Sequence, residues 1–223
     1  MTGFTLGTTD DAGENMPHCP ELPIRVTSHK RSGTHLLMAS IWKNFQLPDV
    51  SLYVELPKNK QFVLNGAVHT ENVTIPWAGL WRSPHGPFRY SWKKPETLVH
   101  VIRNPLCVML SLWRMEDPEG KEGWQSYFNK VMLGRWKNTV KSHMDAGIHI
   151  VRYEDLVEDF QKTMNTIQSK YGLVRKPRSL EKITDHIGWS SYPKSKTSKK
   201  PTKKMRLLMT EMFPKGVFGY GGW

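Results

Sequence analysis

The chain has 223 residues, of which 38% are hydrophobic, so it can form one sizeable domain with a packed core. Its formal charge of +12 favours an anionic partner. Most of this excess is local, because seven basic residues and no acidic ones lie between Ile187 and Thr210. Cys19 and Cys107 form no metal or redox pattern, and no run of about 18 apolar residues could span a bilayer. We therefore expect a soluble, cytoplasmic protein without a disulfide scaffold.

The first predicted unit is a strand, a loop and a helix. The apolar and β-branched run LPIRVTS predicts a short strand that ends near Ser28. After the loop, the segment THLLMASIWKNF places Leu37, Ile41 and Phe45 on one stripe, which is typical of a helix packed on a sheet. Before the next unit, only QFVLN and AGLWRS have the character of strands.

The second unit has the same order. TLVHVI is a run typical of a buried strand. Asn104 can cap a helix, Pro105 suits the first helical position, and Leu106, Met109 and Leu110 continue with helical spacing. These residues predict a strand that leads directly into a helix.

The third unit begins with IHIVRY, a predicted strand that ends at Tyr153. One helix is expected to follow and to end at Gly172, and its apolar side carries Leu156, Phe160, Met164, Ile167 and Tyr171. Three strand-then-helix units predict an α/β fold with a central parallel β-sheet flanked by helices.

The domain organisation follows from the two ends of the chain. Residues 1–20 are polar and without a period, and we interpret them as a flexible N-terminal arm. Residues 21–223 are expected to form a single domain, in which 191–204 is a basic loop and 205–223 a C-terminal helix and tail.

The loop of the first unit has the chemistry of an anion site. It contains Lys30, Arg31, Ser32, Gly33 and Thr34 at a helix start, where backbone N–H groups are available to a ligand. The loop therefore predicts a phosphate or sulfate cradle, and a tight turn with solvated cations is the alternative. It is not a Walker A loop, because the first glycine and the Gly-Lys pair of that motif are missing.

A second anion contact is expected at the same edge of the sheet. Ligands of parallel sheets lie beyond the carboxyl ends of the strands, and Arg103 stands at the end of the second predicted strand. Ser111 lies two turns into the following helix, off its apolar stripe and near Arg114. Each residue alone would be interpreted as a surface residue. Their occurrence together with the first loop is what predicts a second anion contact.

The segments KRSGTHLL, VIRNPLCVMLS and VRYEDLVEDF together resemble the sulfotransferases that use 3′-phosphoadenosine 5′-phosphosulfate. The resemblance covers about residues 24–172 and implies a P-loop-like strand, loop and helix for the phosphosulfate. It also implies the nucleotide donor as co-substrate and 3′,5′-adenosine bisphosphate as its product.

The resemblance assigns the site residues as follows. Arg31, with Lys30 as a second catalytic cation, would contact the bridging or sulfuryl oxygens. The 5′-phosphate would be surrounded by the rest of the loop, namely Ser32, Gly33, Thr34 and His35. The 3′-phosphate would be held by Arg103 and Ser111, whose spacing agrees with the family's R-N-P segment.

Two departures from the family pattern concern the nucleotide. The family often has Thr-Trp after S-G-T, and the Trp stacks on adenine, but here the pair is His35-Leu36. Adenine packing must then come from elsewhere. The family's later R-K-G segment has no clean copy, and the run Lys194 to Lys204 is either its nearest substitute or a solvated loop.

The acceptor hydroxyl needs a base, and histidine is the usual choice at neutral pH. LWRSPHGP loosely resembles the family's Lys-Thr-His-x-Pro stretch, which makes His85 the first candidate and His69 the second. No metal-ligand motif is present, and this sulfuryl transfer is expected to need no metal.

The sequence leaves the acceptor open: a small alcohol or phenol, a glycan or a peptide would fit. Two other functions remain as alternatives, a basic nucleic-acid-binding protein and a divergent P-loop nucleotide kinase, although we expect no nucleic acid as partner. Nucleotide choice separates the three, because only a sulfotransferase should prefer 3′,5′-adenosine bisphosphate to AMP without magnesium.

Overall fold

The computed structural model of the chain describes residues 23–47, 55–56, 61–64, 67–70, 95–117, 119, 121, 123–178, 180–182 and 201–222. The elements in chain order are β1 (Arg25–Ser28), α1 (Thr34–Asn44), β2 (Glu55–Leu56), β3 (Gln61–Leu64), β4 (Ala67–Thr70), β5 (Leu98–Ile102), α2 (Pro105–Glu116), α3 (Lys130–Asp145), β6 (His149–Arg152), α4 (Tyr153–Glu158), α5 (Phe160–Tyr171) and α6 (Lys203–Met212). The expected N-terminal arm, residues 1–20, lies outside the described residues.

The three strands that were predicted to precede helices form one parallel sheet. Its order is β1, β5, β6, with β5 in the middle. Val26 of β1 is paired with Val99 of β5, and Val101 of β5 is paired with Val151 of β6. The prediction of a central parallel sheet flanked by helices is confirmed.

Two hydrophobic clusters lie on opposite faces of this sheet, because successive side chains of a strand point to opposite faces. Val99 and Val101 of β5 belong to a cluster with buried residues of α1, α4 and α5. Ile102 belongs to a second cluster, which contains buried residues of α2, α3 and α6. Helices thus cover both faces, and the loops at the strand ends are left for a ligand.

The start of α2 forms as its sequence predicts. The Asn104 side chain accepts a hydrogen bond from Leu106 N at 2.9 Å, and Pro105 occupies the first turn. Proline costs nothing there, since the first N–H groups of a helix have no intrahelical acceptor. The cap fixes the chain direction immediately after Arg103.

The third unit differs from its prediction in one respect. In place of one helix after β6, the chain forms α4 and α5, separated at Asp159, whose φ of −126° and ψ of 60° are not helical. Tyr153 is also the first residue of α4 and not the last of a strand. The apolar side is nevertheless correct, because Leu156 and Ile167 are buried, and Gly172 ends α5 with a φ of 60°.

Several other elements were missed or shifted. Helix α3 was not predicted: Leu133, Trp136 and Val140 are buried, but the rest of its sequence is mostly polar. Helix α6 begins at Lys203, two residues earlier than expected, because Thr202 caps it by accepting from Met205 N. None of the described helices is long and apolar enough to cross a membrane.

A separate antiparallel sheet contains β2, β3 and β4. Strand β3 confirms the prediction made from QFVLN, whereas β4 was not predicted. Its register places Phe62 opposite His69. The segment AGLWRS, which was also expected to be a strand, lies outside the part of the chain that the structure describes.

Candidate active site

The two predicted anion-binding motifs meet at the carboxyl ends of β1 and β5. These strands are adjacent and parallel, so the loops that follow them emerge side by side. Arg31 Nε donates a hydrogen bond to Ser111 Oγ at 2.9 Å. Arg103 points at the same loop, with its Nη1 atom 3.5 Å from the carbonyl oxygen of Arg31. Residues 31, 103 and 111 thus lie together, as the sequence predicts.

The loop after β1 is tightly folded. Ser32 N donates to the His29 carbonyl at 3.2 Å, and the His29 ring donates from Nδ1 to the Lys30 carbonyl at 3.0 Å. Arg31 has a φ of 66°, which is uncommon for a residue with a side chain. The loop is therefore held in a conformation that costs backbone energy and is compensated by its surroundings.

Gly33 is required by its position. Its φ is 101°, and a Cβ atom built on it would lie 2.4 Å from Cδ2 of Tyr153. Both the backbone conformation and the lack of space make any other residue at this position unfavourable. Tyr153 therefore lies directly against the loop, a contact that the segment VRYEDLVEDF does not predict.

The hydroxyl groups of the loop have different surroundings. Thr34 and Ser28 share a buried hydrogen bond through their hydroxyl oxygens, so the Thr34 hydroxyl joins the helix start to the strand end. Ser32 Oγ is fully buried and has no hydrogen-bond partner among the described residues. A buried hydroxyl without a partner is costly, which suits a group that meets a ligand.

The two candidate cations of the loop, Lys30 and Arg31, point in different directions. Lys30 Nζ lies 3.8 Å from Glu116 Oε1 at the end of α2, and both side chains are about half exposed. Arg31 instead turns to Ser111 in the middle of α2. Of the two cations, Arg31 is the one that lies between the loops.

Arg103 is supported from below by an aromatic ring. The central carbon of its guanidinium lies 4.3 Å from the centroid of Tyr153, a distance at which a cation is attracted to the ring face. Tyr153 thus contacts both Gly33 of the first loop and Arg103 of the second. Tyr153 therefore fixes the positions of the two loops relative to each other.

Two further residues near the site were not identified from the sequence as partners. Glu154 Oε1 accepts from Asn104 N at 3.0 Å, and Glu154 Oε2 accepts from the Tyr220 hydroxyl at 2.7 Å. Burial, followed by the hydrogen bond to Glu154, raises the pKa of Tyr220, so its phenol stays a donor at neutral pH. No local pattern announces a contact between residues 66 positions apart.

The remaining predicted site residues are partly or wholly unplaced. His35 lies half-buried in the first turn of α1, and Leu36 packs against the first hydrophobic cluster. His85 and Lys194 lie outside the described residues, and of His69 only the backbone in β4 is described. Within the described ranges, no group of three or more His, Cys, Asp or Glu side chains is arranged to hold a metal ion.

The chain is similar to known proteins in sequence and in structure. A family model described as "Sulfotransferase domain" matches residues 24–220, from just before β1 to the turn after α6. A crystal structure of mouse sulfotransferase SULT7A1 complexed with PAP is similar at 19% sequence identity, with a TM-score of 0.46. The match covers 69% of this chain and 59% of that one. No curated protein sequence matches significantly.

Proposed function

Because the chain belongs to the sulfotransferase domain family, we propose that it transfers a sulfuryl group from 3′-phosphoadenosine 5′-phosphosulfate to a hydroxyl or amine acceptor. The observation that carries the proposal is the meeting of Arg31, Arg103 and Ser111 where two parallel strands end. The nucleic-acid-binding and kinase alternatives are not favoured by the family match.

The residues of the first loop fit a phosphosulfate group. The first-turn amides of α1 have no acceptor within the helix, and no acidic residue stands in that turn to occupy or repel an anion. Gly33 leaves the backbone approachable, and the buried Ser32 hydroxyl offers a further donor. In this proposal the loop from Lys30 to His35 surrounds the 5′-phosphosulfate.

The second motif fits the 3′-phosphate. Arg103 offers a planar set of N–H donors that matches phosphate oxygens, and Ser111 offers a hydroxyl on the neighbouring helix. Arg31 touches Ser111 and so lies between the two phosphate positions. A ligand that carries both phosphates would engage all three residues, whereas a mononucleotide would not.

The donor supplies an activated sulfuryl group when it is bound. The chain's part is to orient that group, to place cationic N–H donors near oxygens that gain charge, and to accept a proton from the acceptor. We assign the charge stabilisation to Arg31, with Lys30 as a second cation, and the proton to His85, with His69 as the alternative. Because these cations come from side chains, we expect turnover without added metal.

The acceptor and the cellular location remain part of the proposal. The candidates are a small alcohol or phenol, a glycan and a peptide, and we expect the enzyme to act in the cytoplasm. The family match extends to both loops of the candidate site.

A ligand comparison tests the proposed function. Titration calorimetry in the presence of EDTA should show that the protein binds 3′,5′-adenosine bisphosphate at least tenfold more tightly than 5′-AMP, since an additional charge-assisted contact is worth more than about 1.4 kcal/mol. The same protein should then transfer label from ³⁵S-labelled donor to members of an acceptor panel.

Three outcomes would contradict it. Preference for ATP with magnesium would indicate a kinase, and tight binding of an oligonucleotide with no nucleotide preference would indicate a nucleic-acid-binding protein. Equal affinity for the bisphosphate and for 5′-AMP would show that Arg103 and Ser111 do not read the 3′-phosphate.

A further inference from the structure

The carboxylate of Glu154 connects the end of the chain to the donor site. Glu154 Oε1 accepts from Asn104 N at 3.0 Å, and its Oε2 accepts from the Tyr220 hydroxyl at 2.7 Å. We call Asn104, Glu154 and Tyr220 the carboxylate clamp. Both carboxylate oxygens are thus occupied by donors from separate segments of the chain.

The sheet and the clamp together fix the backbone on the two sides of Arg103. Ile102, the residue before it, is paired with Arg152 in the sheet. Asn104, the residue after it, gives its backbone N–H to Glu154 and accepts from Leu106 N with its side chain. An N–H just past a strand end has no ladder partner, and Glu154 supplies one. The backbone of Arg103 is therefore fixed at both sides.

Tyr220 is held firmly in its place. Val217 and Tyr220 exchange two backbone hydrogen bonds of 2.7 and 2.9 Å across a tight turn. The central residues Phe218 and Gly219 both have positive φ, at 48° and 81°, as a type I′ turn requires. Tyr220 is 5% exposed, and the guanidinium carbon of Arg152 lies 4.8 Å from the centroid of its ring. The hydroxyl is thus presented to Glu154 by a rigid segment.

We propose that Tyr220 is a positioning residue for recognition of the nucleotide's 3′-phosphate, acting through Glu154 on Arg103. This inference rests on the proposed function, since it concerns the same site. Two donors hold the Glu154 carboxylate against Asn104. If the Tyr220 hydroxyl is lost, the carboxylate is held by Asn104 N alone, and the backbone that carries Arg103 is fixed less firmly.

The variant Tyr220→Phe tests the proposal, because it removes the hydroxyl and keeps the ring. We expect the affinity for 3′,5′-adenosine bisphosphate to fall about tenfold and that for 5′-AMP to stay unchanged, as expected for the loss of one hydrogen bond to a charged group. The KM for the donor should rise, with kcat near the wild-type value at saturating donor. An unspecific structural defect would lower affinity for both nucleotides.

A matched control is available at the other end of β5. The Tyr171 hydroxyl is buried and donates to the Leu98 carbonyl at 2.6 Å, so Tyr171→Phe also removes one buried tyrosine hydroxyl. We expect Tyr171→Phe to leave the ratio of the two nucleotide affinities unchanged. If Tyr220→Phe changes that ratio no more than Tyr171→Phe does, the proposal is wrong.

A second pair of variants examines the carboxylate itself. Glu154→Gln keeps an oxygen that can accept from Asn104 N, whereas Glu154→Ala removes both acceptors. We expect the Gln variant to retain more bisphosphate affinity than the Ala variant. Equal losses in the two variants would overturn the positioning role.

One measurement does not depend on any nucleotide and so separates this inference from the proposed function. In NMR hydrogen exchange, the Asn104 amide should exchange faster in Tyr220→Phe than in wild type or Tyr171→Phe. Unchanged exchange would contradict the clamp even if the protein is a sulfotransferase. Faster exchange in a protein without bisphosphate preference would retain the clamp and reject the function.

Discussion

Arg103 is the residue whose ligand can be tested by subtraction of one phosphate. Its guanidinium lies over the Tyr153 ring and beside the Arg31 carbonyl. We expect Arg103→Ala to weaken binding of 3′,5′-adenosine bisphosphate by about 2–4 kcal/mol, because a charge-assisted contact is lost. Binding of 5′-AMP should change little. Calorimetry that shows equal losses for both ligands would rule out the assignment.

Arg31 should affect the rate more than the binding of the donor. Charge on the bridging oxygen grows as the sulfuryl group leaves, so a cation beside it stabilises the transition state more than the ground state. We expect Arg31→Ala to lower kcat more than it raises the donor's dissociation constant, and Arg31→Lys to retain part of the rate. Lys30→Ala removes the second cation and should lower kcat less, and wild-type turnover in Arg31→Ala would move the main role to Lys30.

His85 is the first candidate for the base, on the resemblance of LWRSPHGP to a family segment. Replacement by Ala or Asn should lower turnover about 10²–10⁴-fold, the usual contribution of a general base, with donor affinity near wild type. The same change at His69 should cost much less. A folded His85→Ala protein with normal turnover would refute the role, and a large loss at His69 would transfer it there.

At the scale of elements, the turn from β1 into α1 depends on one glycine. Ala at position 33 would have an unfavourable φ, at about 1–2 kcal/mol, and its Cβ would meet the Tyr153 ring at an added cost of about 1–3 kcal/mol. We therefore expect Gly33→Ala to lower the free energy of unfolding by about 2–5 kcal/mol in urea denaturation. If the ring is the obstacle, Gly33→Ala should cost less stability in a Tyr153→Ala background. An equal cost in both backgrounds would show that the ring is not the obstacle.

The contact between α3 and β5 should make stability depend on pH. His143 and His100 are buried and stack with their ring centroids 3.7 Å apart. The His143 ring also contacts the Thr139 carbonyl, and the His100 ring contacts the Thr27 hydroxyl. Burial lowers the pKa of His143, with a smaller opposing effect of the Thr139 carbonyl. Burial also lowers the pKa of His149, and Lys170 adds to this.

The sign of the pH dependence follows from the lowered pKa values of His143 and His149. Below the ordinary histidine pKa of about 6.5, the unfolded chain binds more protons than the folded one, so stability falls as pH falls. Urea midpoints should therefore be level above about pH 7 and decline below about pH 6.5. In His143→Gln the decline should be shallower. An identical slope in wild type and variant would show that His143 does not contribute.

Elements with strong local signals could be predicted, and those decided by distant packing could not. Asn104 and Pro105 specify the start of α2 by chemistry within a few residues, so the prediction is confirmed. The break at Asp159 is invisible in sequence, since the apolar period continues across it from Leu156 to Phe160. In α3 the buried position 143 is occupied by a histidine and not by an apolar residue, which weakens the apolar pattern that would predict a helix.

At the scale of the whole molecule, the same distinction applies to the site. In each strand-then-helix unit the loop follows the carboxyl end of its strand, and in a parallel sheet these ends share one edge. The sequence therefore predicts that Arg31, Arg103 and Ser111 lie at the same edge. Tyr153 and Tyr220 reach the site only through tertiary structure, and no spacing along the chain reveals such contacts. The base stays a prediction, as His85 lies outside the described residues.

The central position of β5 has a consequence for how the protein is made. Arg25 pairs with Leu98, which is synthesised much later, and Ile102 pairs with Arg152, later still. On the ribosome, β1 and α1 therefore emerge with an unpaired strand edge and an uncovered apolar stripe until β5 follows. Because closing such long loops precedes any gain from pairing, folding should be slow and the nascent chain should need protection from aggregation.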